Sequence, residues 1–247
     1  NAALRVQGRE PFIMKRSESY IGVLIDDLIT KGVDEPYRMF TSRCEHRLLL
    51  REDNADQRLA PLGRKLGLLG DEKWASFNRK ADSIGRLSAA ARSNYLFPKD
   101  FDDRPEYFRG LGIASLRDRI SFFELLRRPE WSLERLRSTG LFQYGFDGAI
   151  PAWQERFVDE CVEVEAKYEG YIKRELELLE KVSAHEDRGI PAEFDFRRVS
   201  GLSVEVMERL ARVRPSTLGQ AMRVPGVTPA ASALLYISLR KQAVPPS

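Results

Sequence analysis

Arginine is dense in one short segment, residues 38–59, which reads RMFTSRCEHRLLLREDNADQRL and holds five arginines and four carboxylates in 22 residues. An arginine side chain presents a planar fork of N–H donors that matches pairs of carboxylate or phosphate oxygens. Arg43, Arg47 and Arg51 recur every four residues, so they would share one face of a helix or, by parity, of a strand. Together with Arg38 they are candidate contacts for the phosphate backbone of an RNA. The alternative, equally open from the sequence, is that they pair with the segment's own carboxylates as an ionic scaffold.

Cys44 and His46 lie two positions apart in the same segment, which would place them on one face of an extended chain. They could act as nucleophile and base, but no third group is evident to orient them, so a structural role is favoured. Zinc sites need four ligands at characteristic spacing, and neither CxxC nor HxxxH occurs, so Cys161 is predicted to be a small core residue. The phosphate-binding patterns GxGxxG and GxxxxGKS/T are also absent. We therefore expect no catalytic, metal or cofactor site within this chain.

The elements that must position these residues are predicted to be mostly helical, because apolar side chains recur at steps of three and four. Predicted helices cover residues 19–30, 53–66, 71–98, 113–126, 132–137, 153–187, 203–212, a short stretch after Thr217, and residues 229–241. Capping residues mark several starts, among them Asp53 or Asn54, Ser132 and Ser203. Residues 37–51 mix aromatic, Thr and Leu residues with charged ones and are predicted to be extended or hairpin-like.

The predicted fold class is therefore mainly α. It is a multi-helical region with a small extended or hairpin element near the N-terminus and a compact helical bundle module at the C-terminus. The first long predicted helix has one apolar face, formed by Ile21, Leu24, Ile25 and Leu28. Three domains are expected: residues 1–60, residues 61–166 as a helical middle region, and residues 167–247 as the C-terminal module.

Composition is typical of a soluble globular protein, with 43% apolar and 31% charged residues. The longest apolar runs are far too short to cross a bilayer, so no membrane partner is expected. Two cysteines suggest no disulfide framework and favour a reducing cytoplasm. The net charge of +3 divides into +5 over residues 1–99, −5 over residues 100–170 and +3 over the rest, so the N-terminal part suits a polyanion best. Because the chain begins Asn1-Ala2-Ala3 without an initiator Met, we expect it to be a processed product or a fragment of a longer protein.

Several separated motifs resemble those of the GidA/MnmG family. They are GREPF (Gly8–Phe12), YIGVLIDDL (Tyr20–Leu28), EPYRMFTSR (Glu35–Arg43), RLLLREDNADQRL (Arg47–Leu59), GRKLGL (Gly63–Leu68), KYEGYI (Lys167–Ile172), GLS (Gly201–Ser203) and the stretch from Pro215 through STLGQAMRVPGVTPA to Ala230. Their order and spacing cover nearly the whole chain. Family members usually read SRAEYRL where this chain reads SRCEHRL, so Cys44 and His46 are substitutions, which further weakens a catalytic role for that pair.

The resemblance implies a parent enzyme that modifies transfer RNA (tRNA) with FAD and NADH. With a GTPase partner, MnmE, and a folate-derived carbon unit, such enzymes add an aminomethyl or carboxymethylaminomethyl group to C5 of the wobble uridine. The flavin domain and catalytic cysteines would precede this region, so the fragment alone is expected to be inactive and without flavin, and the parent to be a homodimer. The C-terminal module, about residues 167–241, is implied to contact the GTPase. The candidate contacts there are Tyr168, Tyr171, Arg198, Arg223 and Arg240. A free-standing helical nucleic-acid-binding module remains the alternative.

Overall fold

The computed structural model describes residues 1–242, apart from the side chains of residues 184, 241 and 242. The fold is mostly helical, as predicted, and divides into two compact units, Asn1–Leu50 with Arg174–Ser247 and Arg51–Lys173. The longest helix, α9, runs over Ala152–Glu186, and the division falls within it. Among the described helices, none is both long and apolar enough to cross a membrane.

The first unit holds the N-terminal helices and the C-terminal module. Its elements besides part of α9 are α1 Ala2–Val6, α2 Tyr20–Thr30, a 3-10 turn Thr41–Arg43, a second 3-10 turn Phe196–Arg198, α10 Val204–Val213, α11 Leu218–Arg223 and α12 Pro229–Gln242. The cap predicted at Ser203 is confirmed, because its hydroxyl accepts the backbone N–H of Val206. Thr217 and Thr228 cap the next two helices in the same way. A shared core around Leu210 and Leu235 makes α10–α12 the compact helical module that the sequence predicted.

The second unit is built around the helix Asp71–Ser93, which contacts the helices Ala55–Lys65 and Phe122–Leu126. Its elements besides part of α9 are α3 Ala55–Lys65, α4 Asp71–Ser93, β1 Tyr95–Leu96, α5 Pro98–Asp103, α6 Pro105–Gly110, β2 Ile120–Ser121, α7 Phe122–Leu126 and α8 Leu133–Ser138. β1 and β2 pair antiparallel, with Tyr95 opposite Ser121. The core is rich in aromatic side chains, of which Phe108, Phe122 and Trp131 are fully buried.

Two predicted helices of this unit are shorter than expected. The helix predicted over residues 113–126 begins only at Phe122, because Ser121 caps it: the Ser121 hydroxyl accepts the N–H of Glu124, whose carboxylate accepts the N–H of Ser121. The helix predicted to reach residue 98 ends at Ser93, because Tyr95 and Leu96 pair with β2 instead. The small sheet therefore lies in this unit.

The sequence predicts that residues 37–51 are extended or hairpin-like, and the structure contradicts this prediction for that segment. It forms the 3-10 turn Thr41–Arg43 followed by further turns, and no residue between 37 and 51 is in a strand. Backbone bonds are local: the N–H of Phe40 donates to the carbonyl of Arg38 at 3.1 Å, and that of Leu50 to His46 at 2.9 Å. Helical or strand periodicity therefore does not position the arginines of this segment.

Candidate nucleic-acid interface

Residues 37–47, here called the arginine loop, lie in the first unit beside α2. The sequence of α2 dictates an unusual arrangement, because the buried side of the helix carries Asp26 and Asp27, while Ile21 and Ile25 of its predicted apolar face are exposed. Burying a carboxylate is costly unless it is paired and hydrogen-bonded. The compensating groups come from the arginine loop and from the segment before α2.

Arg16 is the central partner of these buried carboxylates, and its side chain is only 9% exposed. Its Nη1 donates to Asp27 Oδ1 at 2.8 Å and to Asp26 Oδ2 at 3.1 Å. Its Nε and Nη2 donate to the two oxygens of Glu45 at 2.6 and 2.8 Å, and Nη2 also donates to the carbonyl of Arg43 at 2.9 Å. One guanidinium thus joins α2 to residues 43 and 45 of the arginine loop.

Asp27 holds the other end of the loop, and its side chain is 1% exposed. Besides Arg16, it accepts hydrogen bonds from Lys31 Nζ at 2.9 Å and from the Tyr37 hydroxyl at 2.9 Å, and Arg43 Nη1 lies 3.7 Å away. Burial alone would raise the pKa of Asp27, but the bonds from Lys31, Tyr37 and Arg16 outweigh it and hold this pKa below its usual value. Asp27 therefore stays charged and ties residue 37 to α2.

The pKa values of the other two members follow the same balance. Burial would lower the pKa of Arg16, yet Glu45 and Asp27 keep that pKa above its ordinary value. Burial would raise the pKa of Glu45, but the hydrogen bond from Arg16 lowers it below the usual range. Arg16, Asp27 and Glu45 are therefore charged at neutral pH, and the loop is held by the hydrogen bond from Tyr37 and by ion pairs at residues 43 and 45.

Arg223, a sequence-predicted contact for the protein partner, extends this network from α11. Its Nε donates to Asp26 Oδ2 at 2.6 Å, and its Nη1 donates to Glu186 Oε2 at 3.2 Å. The side chain is 21% exposed. The structure thus places Arg223 in a structural ion pair across 197 residues of sequence.

The three arginines of the loop differ in their surroundings. Arg38 and Arg47 are exposed, and neither forms an ion pair with any residue that the structure describes. The Arg43 guanidinium lies 4.9 Å from the ring centre of Tyr37 and 5.8 Å from that of Phe40. Cations at this distance from an aromatic face are attracted to it. The loop therefore carries two exposed arginines without ion pairs among the described residues, and a third arginine whose guanidinium lies over aromatic rings.

Arg51 belongs to the second unit, where its Nε and Nη2 form a two-point pair with the Asp53 carboxylate at 2.9 and 3.0 Å. This residue matches the ionic-scaffold alternative. Of the other carboxylates of the segment, Glu45 pairs with Arg16, and Asp56 pairs with Lys80 at 2.7 Å. The candidate arginines therefore divide: Arg51 is engaged in a local pair, whereas Arg38 and Arg47 are exposed and have no ion pair within the part of the chain that the structure describes.

The thiols are in surroundings that suit packing. Cys44 is buried against Val23 and Leu50, and burial raises the pKa of its thiol. His46 Nδ1 lies 3.1 Å from Glu175 Oε1. Burial raises the pKa of Cys161 to about 11, whereas a nucleophilic cysteine requires a lowered pKa. Within residues 1–242, no group of three or more His, Cys, Asp or Glu side chains is arranged to hold a metal ion.

The remaining candidates for partner contact are accessible. Tyr168 and Tyr171 of α9 are both exposed, with ring centres 6.5 Å apart. Arg198 is exposed and lies 3.5 Å from Asp195, and Arg240 is exposed on α12. Each could meet another protein without prior rearrangement.

Sequence reasoning missed Arg16, Asp26 and Asp27, which position the arginine loop. The available signal was the pair of adjacent aspartates inside an otherwise apolar helix, because buried charges require partners. The arginine partner was ten residues upstream, outside the segment that drew attention by its composition.

Two models of one protein family match the chain. The model described as the tRNA modifying enzyme MnmG/GidA C-terminal helical domain matches residues 71–176, and that described as the MnmG/GidA C-terminal helical bundle matches residues 178–245. Between them they span most of the chain.

Curated relatives and a solved structure agree with these matches. The tRNA uridine 5-carboxymethylaminomethyl modification enzymes MnmG of Pelobacter propionicus and Geobacter sulfurreducens are 46% and 45% identical to the chain over 98% of its length. The chain spans 37% of the length of each. The crystal structure of Aquifex aeolicus GidA superposes with a TM-score of 0.79 and 39% identity, over 97% of this chain and 36% of that one. The chain belongs to the MnmG/GidA family and corresponds to its C-terminal part.

Proposed function

We propose that this chain is the region of a tRNA-modifying flavoenzyme that supplies contacts to the tRNA and to a GTPase partner. The parent would add an aminomethyl or carboxymethylaminomethyl group to C5 of the wobble uridine in the cytoplasm. The observation that carries the proposal is the arginine loop. Arg16 and Asp27 hold this loop through hydrogen bonds and ion pairs, and its Arg38 and Arg47 are exposed without ion-pair partners among the described residues.

A fixed cationic loop favours a polyanion for a physical reason. Phosphate contacts release counterions, and each contact contributes to affinity whatever the base sequence. A loop already ordered by buried ion pairs loses little conformational entropy on binding. An arginine paired on the surface would first have to leave its carboxylate, whereas Arg38 and Arg47 do not.

The residues of this chain do not fit a dinucleotide cofactor. The sequence lacks GxGxxG, and the described part contains one pair of two-residue strands rather than a strand leading through a glycine turn into a helix. We therefore place FAD and NADH binding in the remainder of the parent protein, and we expect the fragment alone to be inactive.

Docking of an MnmE-type GTPase is assigned to exposed side chains of the C-terminal region. Tyr168 and Tyr171 are suited to it, because aromatic residues dominate the energy of protein interfaces. A calorimetric titration of the chain with the GTPase should show saturable binding that the Tyr168→Ala/Tyr171→Ala variant loses. Unchanged binding of that variant would remove the tyrosines from the interface. Absence of binding by the wild-type chain would mean that docking needs the parent homodimer.

The direct test of the RNA contact is a titration of unmodified tRNA with the chain. The wild-type chain should bind saturably, and the Arg38→Ala/Arg47→Ala variant should bind more weakly. The matched control is Arg109→Ala/Arg156→Ala, which removes the same charge from exposed arginines that are paired with Glu106 and Glu160. Equal weakening by both variants would show a net-charge effect and would refute a specific role for the arginine loop.

A further inference from the structure

We propose that Phe40 is a stacking platform for an unpaired nucleobase, so that the arginine loop binds single-stranded RNA through a base as well as through phosphates. This inference rests on the proposed function, since it names the part of the RNA that the loop meets. Proteins recognise unstacked bases in RNA loops largely by stacking them on aromatic side chains, and the anticodon of a tRNA lies in such a loop.

The first observation is the exposure of Phe40, which is 51% exposed although it lies next to buried ion pairs. The ring therefore offers an apolar surface that a flat partner can cover. The backbone of Phe40 is held, because its N–H donates to the carbonyl of Arg38 at 3.1 Å and its carbonyl accepts from the N–H of Arg43 at 3.0 Å. The ring is therefore presented from a defined backbone rather than from a loose loop.

The second observation is the positive charge of the loop that carries the ring. Arg38 and Arg47 are exposed without ion pairs among the described residues, and the Arg43 guanidinium lies 5.8 Å from the ring centre of Phe40. An apolar protein partner would have to desolvate these cations or supply carboxylates for them. An RNA strand offers a flat apolar base for the ring and phosphates for the arginines at the same time. The combination of one exposed ring with several cations favours RNA as the occupant.

The third observation is that, of the two aromatic rings of the loop, Tyr37 is engaged in contacts within the protein and Phe40 is the exposed one. The Tyr37 hydroxyl is bound to Asp27, and the Arg43 guanidinium lies 4.9 Å from the centre of the Tyr37 ring. Tyr37 thus fixes the loop and positions Arg43. Phe40 remains the side chain on which a base can stack.

The test compares two probes of equal length, a short single-stranded RNA and an abasic ribose–phosphate oligomer. Phe40→Ala should weaken RNA binding on the order of tenfold or more, as expected for the loss of one base–aromatic stack, and leave binding of the abasic oligomer unchanged. Phe40→Trp should restore RNA binding, and its added fluorescence should be quenched by RNA but not by the abasic oligomer. Phe97→Ala is the matched control, because Phe97 is a similarly exposed phenylalanine, 47% exposed, in the second unit.

Each outcome decides between the two proposals. If the wild-type chain binds RNA and Phe40→Ala binds it equally well, the stacking platform is wrong while the tRNA contact stands. Equal loss in Phe97→Ala would likewise refute a specific platform at Phe40. If the wild-type chain binds neither probe nor tRNA, both proposals fail together. Circular dichroism of each variant establishes that the fold is intact.

Discussion

Replacing Asp27 by alanine should destabilise the first unit, because this carboxylate is the partner of three donors inside a buried ion network. Asp27 accepts from Arg16 at 2.8 Å, from Lys31 at 2.9 Å and from the Tyr37 hydroxyl at 2.9 Å. Without it, the Arg16 guanidinium stays buried with less negative charge around it. The Tyr37 hydroxyl also loses the contact that ties the arginine loop to α2.

The magnitude follows from the burial of the pair. Breaking a buried ion pair by removing one partner costs about 3–5 kcal/mol, because the other charge is left uncompensated. Arg16 keeps Asp26 and Glu45 as partners, so we expect the lower end of that range, about 3 kcal/mol. For urea slopes of about 1–3 kcal/mol per molar, the unfolding midpoint should fall by about 1 M or more.

The assay is urea unfolding followed by circular dichroism, with two comparison variants. Asp27→Asn keeps an acceptor of the same shape but removes the charge, so its cost should lie between wild type and Asp27→Ala. Glu106→Ala breaks an exposed pair with Arg109 and should cost about 0.5 kcal/mol or less. If Asp27→Ala costs no more than Glu106→Ala, the buried network does not stabilise this unit and the reasoning is refuted.

The remaining predictions concern acid, helix packing and a buried thiol. The folded-state pKa values of Asp27 and Glu45 lie below their usual values of 3.8 and 4.5. The stability that these carboxylates give the fold should therefore be complete above about pH 5 and be lost as the pH falls below about 4. When unfolding is followed as a function of acid pH, Asp27→Asn should lose less stability than the wild type. Gly22→Ala should lower the free energy of unfolding by about 3 kcal/mol or more in thermal or urea unfolding, because the new Cβ would lie 2.2 Å from the Lys15 carbonyl oxygen. Gly85→Ala is the comparison variant: its Cβ would meet open space in the middle of a helix, so it should raise the free energy of unfolding by about 0.5–1 kcal/mol. Native Cys161 should react with iodoacetamide near pH 8 at least about a hundredfold more slowly than in the unfolded chain, since its pKa is about 11, and near-equal rates would contradict its burial.

Local signals were sufficient for much of the helical architecture. The predicted helices at residues 19–30, 132–137, 153–187 and 203–212 are found within about a residue of those bounds, because a capping side chain or a long apolar stripe marks each. Where pairing between distant residues decides, prediction failed. Residues 95–96 were predicted to be helical but instead pair as a strand with residues 120–121, and no local sequence pattern indicates this pairing.

The orientation of α2 shows the same limit at the site. Its apolar periodicity was read correctly, but Ile21 and Ile25 face outward, and the buried side carries Asp26 and Asp27. This orientation is possible because Arg16 pairs with both aspartates and Arg223, 197 residues after Asp26 in the sequence, pairs with Asp26. Residue types alone identified the arginine loop as a candidate anion site. They could not distinguish Arg38 and Arg47, which form no ion pair with a described residue, from Arg51, which is paired with Asp53.

The measurement that tests the central proposal most directly is the salt dependence of tRNA binding by the wild-type chain and by Arg38→Ala/Arg47→Ala. Each phosphate contact contributes about 0.7–0.9 to the slope of log K against log salt concentration. If Arg38 and Arg47 each contact a phosphate, the double variant lowers the magnitude of the slope by about 1.5 and weakens binding, while Arg109→Ala/Arg156→Ala leaves the slope unchanged. A wild-type slope retained in Arg38→Ala/Arg47→Ala would contradict the account and would mean that the arginine loop does not contact the RNA backbone.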